Sequence, residues 1–157
     1  MQVVLNDGGR ADAGYKGLAG DCGCRAVAIA TELPYQEVYD LINEASKAER
    51  ITKRNRTKSS ARNGVHRKTL NVVLDALGWE WVPTMKIGSG CTVHLDESEL
   101  PSGRLIVRVS RHFIAVIDGV IHDTHDPQRV TIEVKDFTER IIRRCVYGYW
   151  IKREEKI

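Results

Sequence analysis

Residues 20–31, Gly20-Asp21-Cys22-Gly23-Cys24-Arg25-Ala26-Val27-Ala28-Ile29-Ala30-Thr31, constrain the fold most strongly. The run Ala26-Val27-Ala28-Ile29-Ala30 is small and apolar on every side, the composition of a helix enclosed by other elements. Before it, Gly14, Gly17 and Gly20 are turn formers, so the helix has a defined start. Asp21 is expected at the N-cap, its carboxylate accepting an N–H of the first turn. Cys22 then occupies the first helical position, where open N–H groups and the helix dipole favour a thiolate. A small buried cysteine with a packing role is the alternative, and it is the expected role of Cys24.

Downstream, residues 34–45 repeat Tyr35, Val38, Leu41/Ile42 and Ala45 at helical spacing, with Pro34 suited to the first turn. Residues 65–77 carry a third stripe, Leu70, Val73, Leu74 and Leu77, stopped by Gly78. Strands are expected at 79–82, 104–110, 112–117, 120–124 and 144–152, and one helical turn at 96–100. Residues 1–20 read as irregular, 85–90 as a glycine turn, and 126–143 as a charged connection. Helices first and antiparallel strands second define an α+β class. With 157 residues and no linker-like stretch, a single domain spanning residues 1–157 is expected.

Residues 47–68 hold nine Lys/Arg against one acid, Glu49, and their central part has no apolar period. A basic loop at about 47–64 is expected, with Lys53, Arg54, Arg56, Lys58 and Arg62 as candidate contacts for an acidic partner or nucleic acid. No aromatic residues are interleaved for base stacking, so a solvated charged loop is the better account of the pattern. The net charge of +3 is mild, so the overall balance implies neither partner. The first nine residues lack the pattern of a signal peptide, and no apolar run reaches the ~18 residues of a membrane span. A cytoplasmic protein without membrane contact is therefore expected, with its four cysteines as thiols.

Asp118-Gly119 is a strong hairpin signal. A two-residue loop there pairs Ile117 with Val120, and the register continues to Ile114 with Asp123 and His112 with His125. His112, Ile114, Asp123 and His125 then share a face, and Asp123 lies diagonal to His112. A carboxylate beside a histidine orients the ring and stabilises its imidazolium, half of a nucleophilic site that calls for a thiol opposite. Asp126 is the alternative acid, and His122 has the opposite parity. A rival zinc set of Cys22, Cys24, Cys91 and His94 rests on Cys91-x-x-His94 alone, and the favoured reading requires no metal and no cofactor.

A cysteine opening a buried helix, a strand histidine and an acid on the next strand resemble the papain-like cysteine peptidases. Asp21-Cys22-Gly23, His112 and Asp126-Pro127 are similar to elements of double-glycine bacteriocin-processing peptidases. The set Asp21-Cys22-x-x-Arg25-Ala26, Pro34-Tyr35-x-x-Val38-Tyr39, Gly88-Ser89-Gly90-Cys91 and His112…Asp118-Gly119-Val120-Ile121-His122-Asp123-Thr124 resembles small phage-encoded and bacterial cysteine peptidase-like proteins. The resemblance implies a papain-like fold, N-terminal helices with a C-terminal antiparallel sheet, and a thiol hydrolase cleaving a peptide, isopeptide or other amide bond. It implies Cys22 as nucleophile, His112 as base, Asp123 or Asp126 as orienting acid, a peptide or protein substrate, and the host cytoplasm if the chain is phage-encoded. The family usually places a glutamine about six residues before its cysteine, where this chain has Lys16. The oxyanion would then fall to the Cys22 backbone N–H, with Lys16 or Asn6 as substitutes. A non-catalytic protein using the basic loop to bind nucleic acid or an acidic host partner is the alternative.

Overall fold

A computed structural model describes residues 1–153; the last four residues of the expected domain lie outside the described residues. Three helices form where apolar spacing places them: α1 (Cys22–Thr31), α2 (Tyr35–Ser46) and α3 (Arg67–Ala76). Ten strands surround them: β1 (Val3–Leu5), β2 (Trp79–Pro83), β3 (Met85–Lys86), β4 (Gly90–Cys91), β5 (Arg104–Val109), β6 (His112–Ile117), β7 (Val120–Asp123), β8 (Thr131–Lys135), β9 (Thr138–Ile142) and β10 (Gly148–Lys152). Six of them make one sheet in the order β1-β7-β6-β5-β10-β2. The class is mixed α+β with a mostly antiparallel sheet. No helix among the described residues is long and apolar enough to cross a membrane.

The hairpin β6–β7 closes as its dipeptide dictates. Asp118 and Gly119 both take positive φ, 47° and 77°, the twist of a type I′ turn, and Ile117 pairs with Val120. The sheet has an apolar layer on each face. On one face, Val27 and Ile29 of α1 and Val38 and Ile42 of α2 pack with Ile106, Phe113, Ala115 and Trp150. On the other, Leu105, Val107, Ile114, Val116 and Ile121 meet Leu95, Leu100 and Val146. The Trp150 indole N–H donates to Asn71 Oδ1 at 3.0 Å, tying the sheet to α3. Trp79 and Trp150 are core residues, whereas Trp81 walls a surface groove.

The structure corrects five expectations. The N-terminal segment is not irregular throughout: Val3, Val4 and Leu5 pair in parallel with Ile121, His122 and Asp123, so one junction of the sheet is parallel. The charged connection contains the hairpin β8–β9, almost wholly exposed on both faces. Residues 85–91 form a small hairpin rather than a bare turn, and the last strand begins at Gly148 instead of 144.

The fifth correction concerns the thiols. Cys91 and Cys145 are joined in a disulfide, with Cα atoms 5.9 Å apart and a sequence separation of 54. Their approach follows from the segment before β10: His94 bridges Cys145, and Val146 N–H donates to the Val93 carbonyl at 2.8 Å. Only Cys22 and Cys24 are free thiols. Closing so long a loop lowers the entropy of the unfolded chain. Reduction of Cys91–Cys145 is expected to lower folding stability by about 2–4 kcal/mol, read as a lower Tm with reductant, while non-reducing peptide mapping recovers the linked pair.

Candidate active site

Cys22 opens α1 as expected, but Asp21 does not cap it in the expected way. The Asp21 backbone carbonyl accepts the Arg25 N–H at 3.0 Å, while its carboxylate makes no cap hydrogen bond. That carboxylate is buried and accepts from the Arg25 guanidinium, from the Tyr35 hydroxyl at 2.6 Å, and pairs with Arg10 Nε at 3.4 Å. The first-turn N–H groups therefore lack a side-chain cap. Next to Cys22, Gly23 has no room for a side chain: a Cβ there would lie 2.5 Å from Val65 Cγ1 and 3.4 Å from the Phe113 ring. Its absence lets the cleft wall and β6 approach the start of α1.

His112 reaches the thiol from the first residue of β6. It shares the parity of Ile114 and Val116, which pack on the sheet face away from α1. At the strand end that parity no longer confines the side chain, and the imidazole stands beside Cys22 in one cleft, where the two act on each other's protonation. His112 Nε2 lies 2.7 Å from Asp123 Oδ2. Asp123, at the end of β7, also accepts the Thr124 N–H at 2.7 Å and contacts Arg25 Nη2 at 3.5 Å. Cys22 thus stands beside the hydrogen-bonded His112–Asp123 pair. The site opens into a cleft of about 450 Å³ whose walls include Asn63, Gly64, Val65, Arg108, Arg111 and His125.

The electrostatics separate the two free thiols. Burial pushes the Cys22 thiol up, but the His112 hydrogen bond and charge, the Phe113 N–H and Arg25 outweigh it, so its pKa falls below the usual 9.0. Burial drives Cys24 the other way, to about 12, only partly opposed by its Tyr35 contact. For His112, burial favours the neutral ring, yet the Asp123 and Cys22 hydrogen bonds and charges raise its pKa from 6.5 to about 9. Asp123 is lowered despite burial, chiefly by its bond to His112. The thiolate–imidazolium pair is thus favoured between the lowered Cys22 value and the His112 value of about 9.

Other candidates lie elsewhere. Asp126 accepts from Gln128 N and Nε2, at 2.9 and 3.1 Å, not from His112. Asn6 Oδ1 is occupied by the Gly8 N–H at 2.8 Å, and Asn6 lines a different depression with His122. Lys16 is exposed and absent from the cleft walls. The structure therefore gathers neither Lys16 nor Asn6 for an oxyanion and leaves the Cys22 backbone N–H. The zinc set does not assemble, since Cys91 is in the disulfide and Cys24 is buried on α1. His112, Asp123 and His125 offer ligand atoms within 4.8 Å, but Asp123 already faces His112, Arg25 and the Thr124 N–H.

In the basic loop, Lys53, Arg54, Arg56 and Lys58 are exposed, whereas Arg62 is a latch, donating to the Lys16 and Leu18 carbonyls at 3.1 and 3.2 Å. Sequence reasoning missed the Arg25 bridge, Arg108, Arg111 and the wall at Asn63-Gly64-Val65. Only Arg25 had a signal: four residues beyond Asp21 on a helix, it is a ready ion-pair partner.

NMR titration is expected to place the His112 imidazolium near pH 9, with Asp123→Asn moving it down by about one unit or more as its carboxylate is lost. Comparison with protein-family models, with curated proteins and with solved structures finds no match to this chain.

Proposed function

We propose that this protein is a papain-like thiol hydrolase acting on a peptide, isopeptide or other amide carbonyl. The observation that carries the proposal is the grouping of Cys22 with the hydrogen-bonded His112–Asp123 pair at an open cleft, with Cys22 lowered and His112 raised in pKa. The Cys22 thiolate attacks the carbonyl carbon, and the oxyanion is held by the Cys22 backbone N–H. Collapse of this adduct breaks the C–N bond, and His112 hands its proton to the leaving amine. A thioester remains on Cys22. Water, deprotonated by the now neutral His112, attacks it; the acid is released and the thiol is restored. Asp123 orients the ring throughout and stays ionised. The helix-start nucleophile, strand histidine and neighbouring-strand acid support the papain-like reading.

One observation favours a second role beside the first. Glu49, the acid of the basic segment, accepts from Ser59 N at 2.7 Å and from the Thr69 hydroxyl, which leaves Lys53, Arg54, Arg56 and Lys58 without carboxylate partners among the described residues. Such a surface suits an acidic partner or nucleic acid, whose binding would weaken steeply with salt and be unchanged by Cys22→Ala.

A limiting pulse of iodoacetamide at pH 6, read by peptide mass spectrometry, tests the site. Cys22 is expected to be labelled and Cys24 spared, with His112→Ala slowing labelling by about 10²-fold or more and Asp123→Asn by about ten-fold. Equal slow labelling of both thiols would remove the hydrolase reading.

A further inference from the structure

The cleft at Cys22 and a neighbouring groove share one wall residue. Arg108 lines both that cleft and the groove, of about 720 Å³, walled by Trp81, Met85, Ile87 and Tyr147. Its guanidinium lies over the Phe113 ring, 4.4 Å from the centroid, which fixes its position beside the thiol. Arg67 stands over Trp81 at 5.0 Å and lines the same groove. Neither arginine has a carboxylate partner among the described residues, and no Asp or Glu lines the groove. The cleft's one acid, Asp21, is taken by Arg25, Arg10 and Tyr35. Arg108 is partly desolvated and is repelled by Arg67, and burial pushes its pKa down. Arg108 meets the like charge of Arg67 and the opposite charge of Cys22, and with no carboxylate in the groove its guanidinium stays open to an incoming anion.

We propose that Arg108 selects a substrate carboxylate flanking the carbonyl that Cys22 attacks, while the Trp81–Tyr147 groove takes a bulky apolar residue beyond it. The substrate class is an acidic–apolar peptide segment. This inference rests on the thiol hydrolase reading and adds what that site accepts. A planar guanidinium held by a ring matches a carboxylate in two parallel hydrogen bonds. A nucleic-acid phosphate would satisfy the charge but offers a thiolate no acyl carbon.

The test uses the full chain and two series of thiol-reactive peptides that approach from either side of the scissile bond. Ac-Phe-Glu-chloromethyl ketone is compared with its Gln and Lys counterparts, and chloroacetyl-Glu-Phe-amide with the same counterparts. Alkylation rates of Cys22 come from intact mass, each divided by the iodoacetamide rate of the same protein. In one series at least, the Glu reagent is expected to react about ten-fold faster than Gln, with Lys slowest. Arg108→Gln should erase the difference, and Arg67→Gln should reduce it.

Equal Glu and Gln rates in both series, with iodoacetamide still selective for Cys22, would overturn the inference and leave the hydrolase site standing. A Glu preference that survives Arg108→Gln would also overturn it. Loss of iodoacetamide selectivity would instead strike the hydrolase reading itself. Should Arg108→Gln fail to fold, the wild-type Glu/Gln ratio decides alone.

Discussion

One guanidinium joins the two halves of the site. Arg25 sits in the first turns of α1 and contacts Asp21, just before that helix, and Asp123, at the end of β7. The helix that carries Cys22 and the strand that carries Asp123 are thereby fixed to each other through a half-enclosed cation. Such a bridge is stable only if both carboxylates are also satisfied elsewhere. They are: Asp21 by Tyr35 and Arg10, Asp123 by His112 and the Thr124 N–H. Arg25 thus acts on geometry, holding Asp123 where its other oxygen can meet His112.

The same arrangement explains why two cysteines separated by one residue behave oppositely. Both lie in the first turn of α1, so the helix dipole acts on both. Cys22 faces the His112 imidazole and the Phe113 N–H at the cleft, and these reverse the effect of burial. Cys24 turns inward towards the Tyr35 carbonyl, where burial dominates and Asp21 adds to it. Position on the helix is therefore a weak determinant of thiol chemistry here. The partner contributed by β6 decides it.

Features set by local pattern were legible in the sequence: the three helices, the Asp118-Gly119 turn, and the His112–Asp123 pairing that follows from its register. Features that depend on remote partners were not. An aspartate before a helix normally caps it, and nothing near Asp21 announces that Arg10 and Tyr35 will claim its carboxylate. Val3-Val4-Leu5 is too short to stand out among glycines, and becomes β1 only because β7 offers an edge. The Cys91–Cys145 bridge depends on segments that meet only in the folded chain. Even the parity rule that links His112 to Asp123 succeeds for a partly different reason. Strict alternation would point both toward the face away from α1, and it is the strand ends that let them meet Cys22.

The basic segment divides by the same logic of partners. Its base is closed by Glu49, whose carboxylate stays ionised because hydrogen bonds from Ser59 and Thr69 outweigh burial. Arg62 fixes its far end to the chain just ahead of α1, so Asn63-Gly64-Val65 become a wall of the cleft. Between these anchors the remaining cations face solvent. Charges so exposed act over roughly a Debye length, about 8 Å at physiological salt, and contribute to encounter rather than to fixed recognition. Arg108 is different in kind, because its desolvation and its position over Phe113 make it a directional contact. Long-range attraction at the loop and short-range selection in the groove favour the same sign of ligand. An anionic partner drawn in by the first would meet the second beside Cys22.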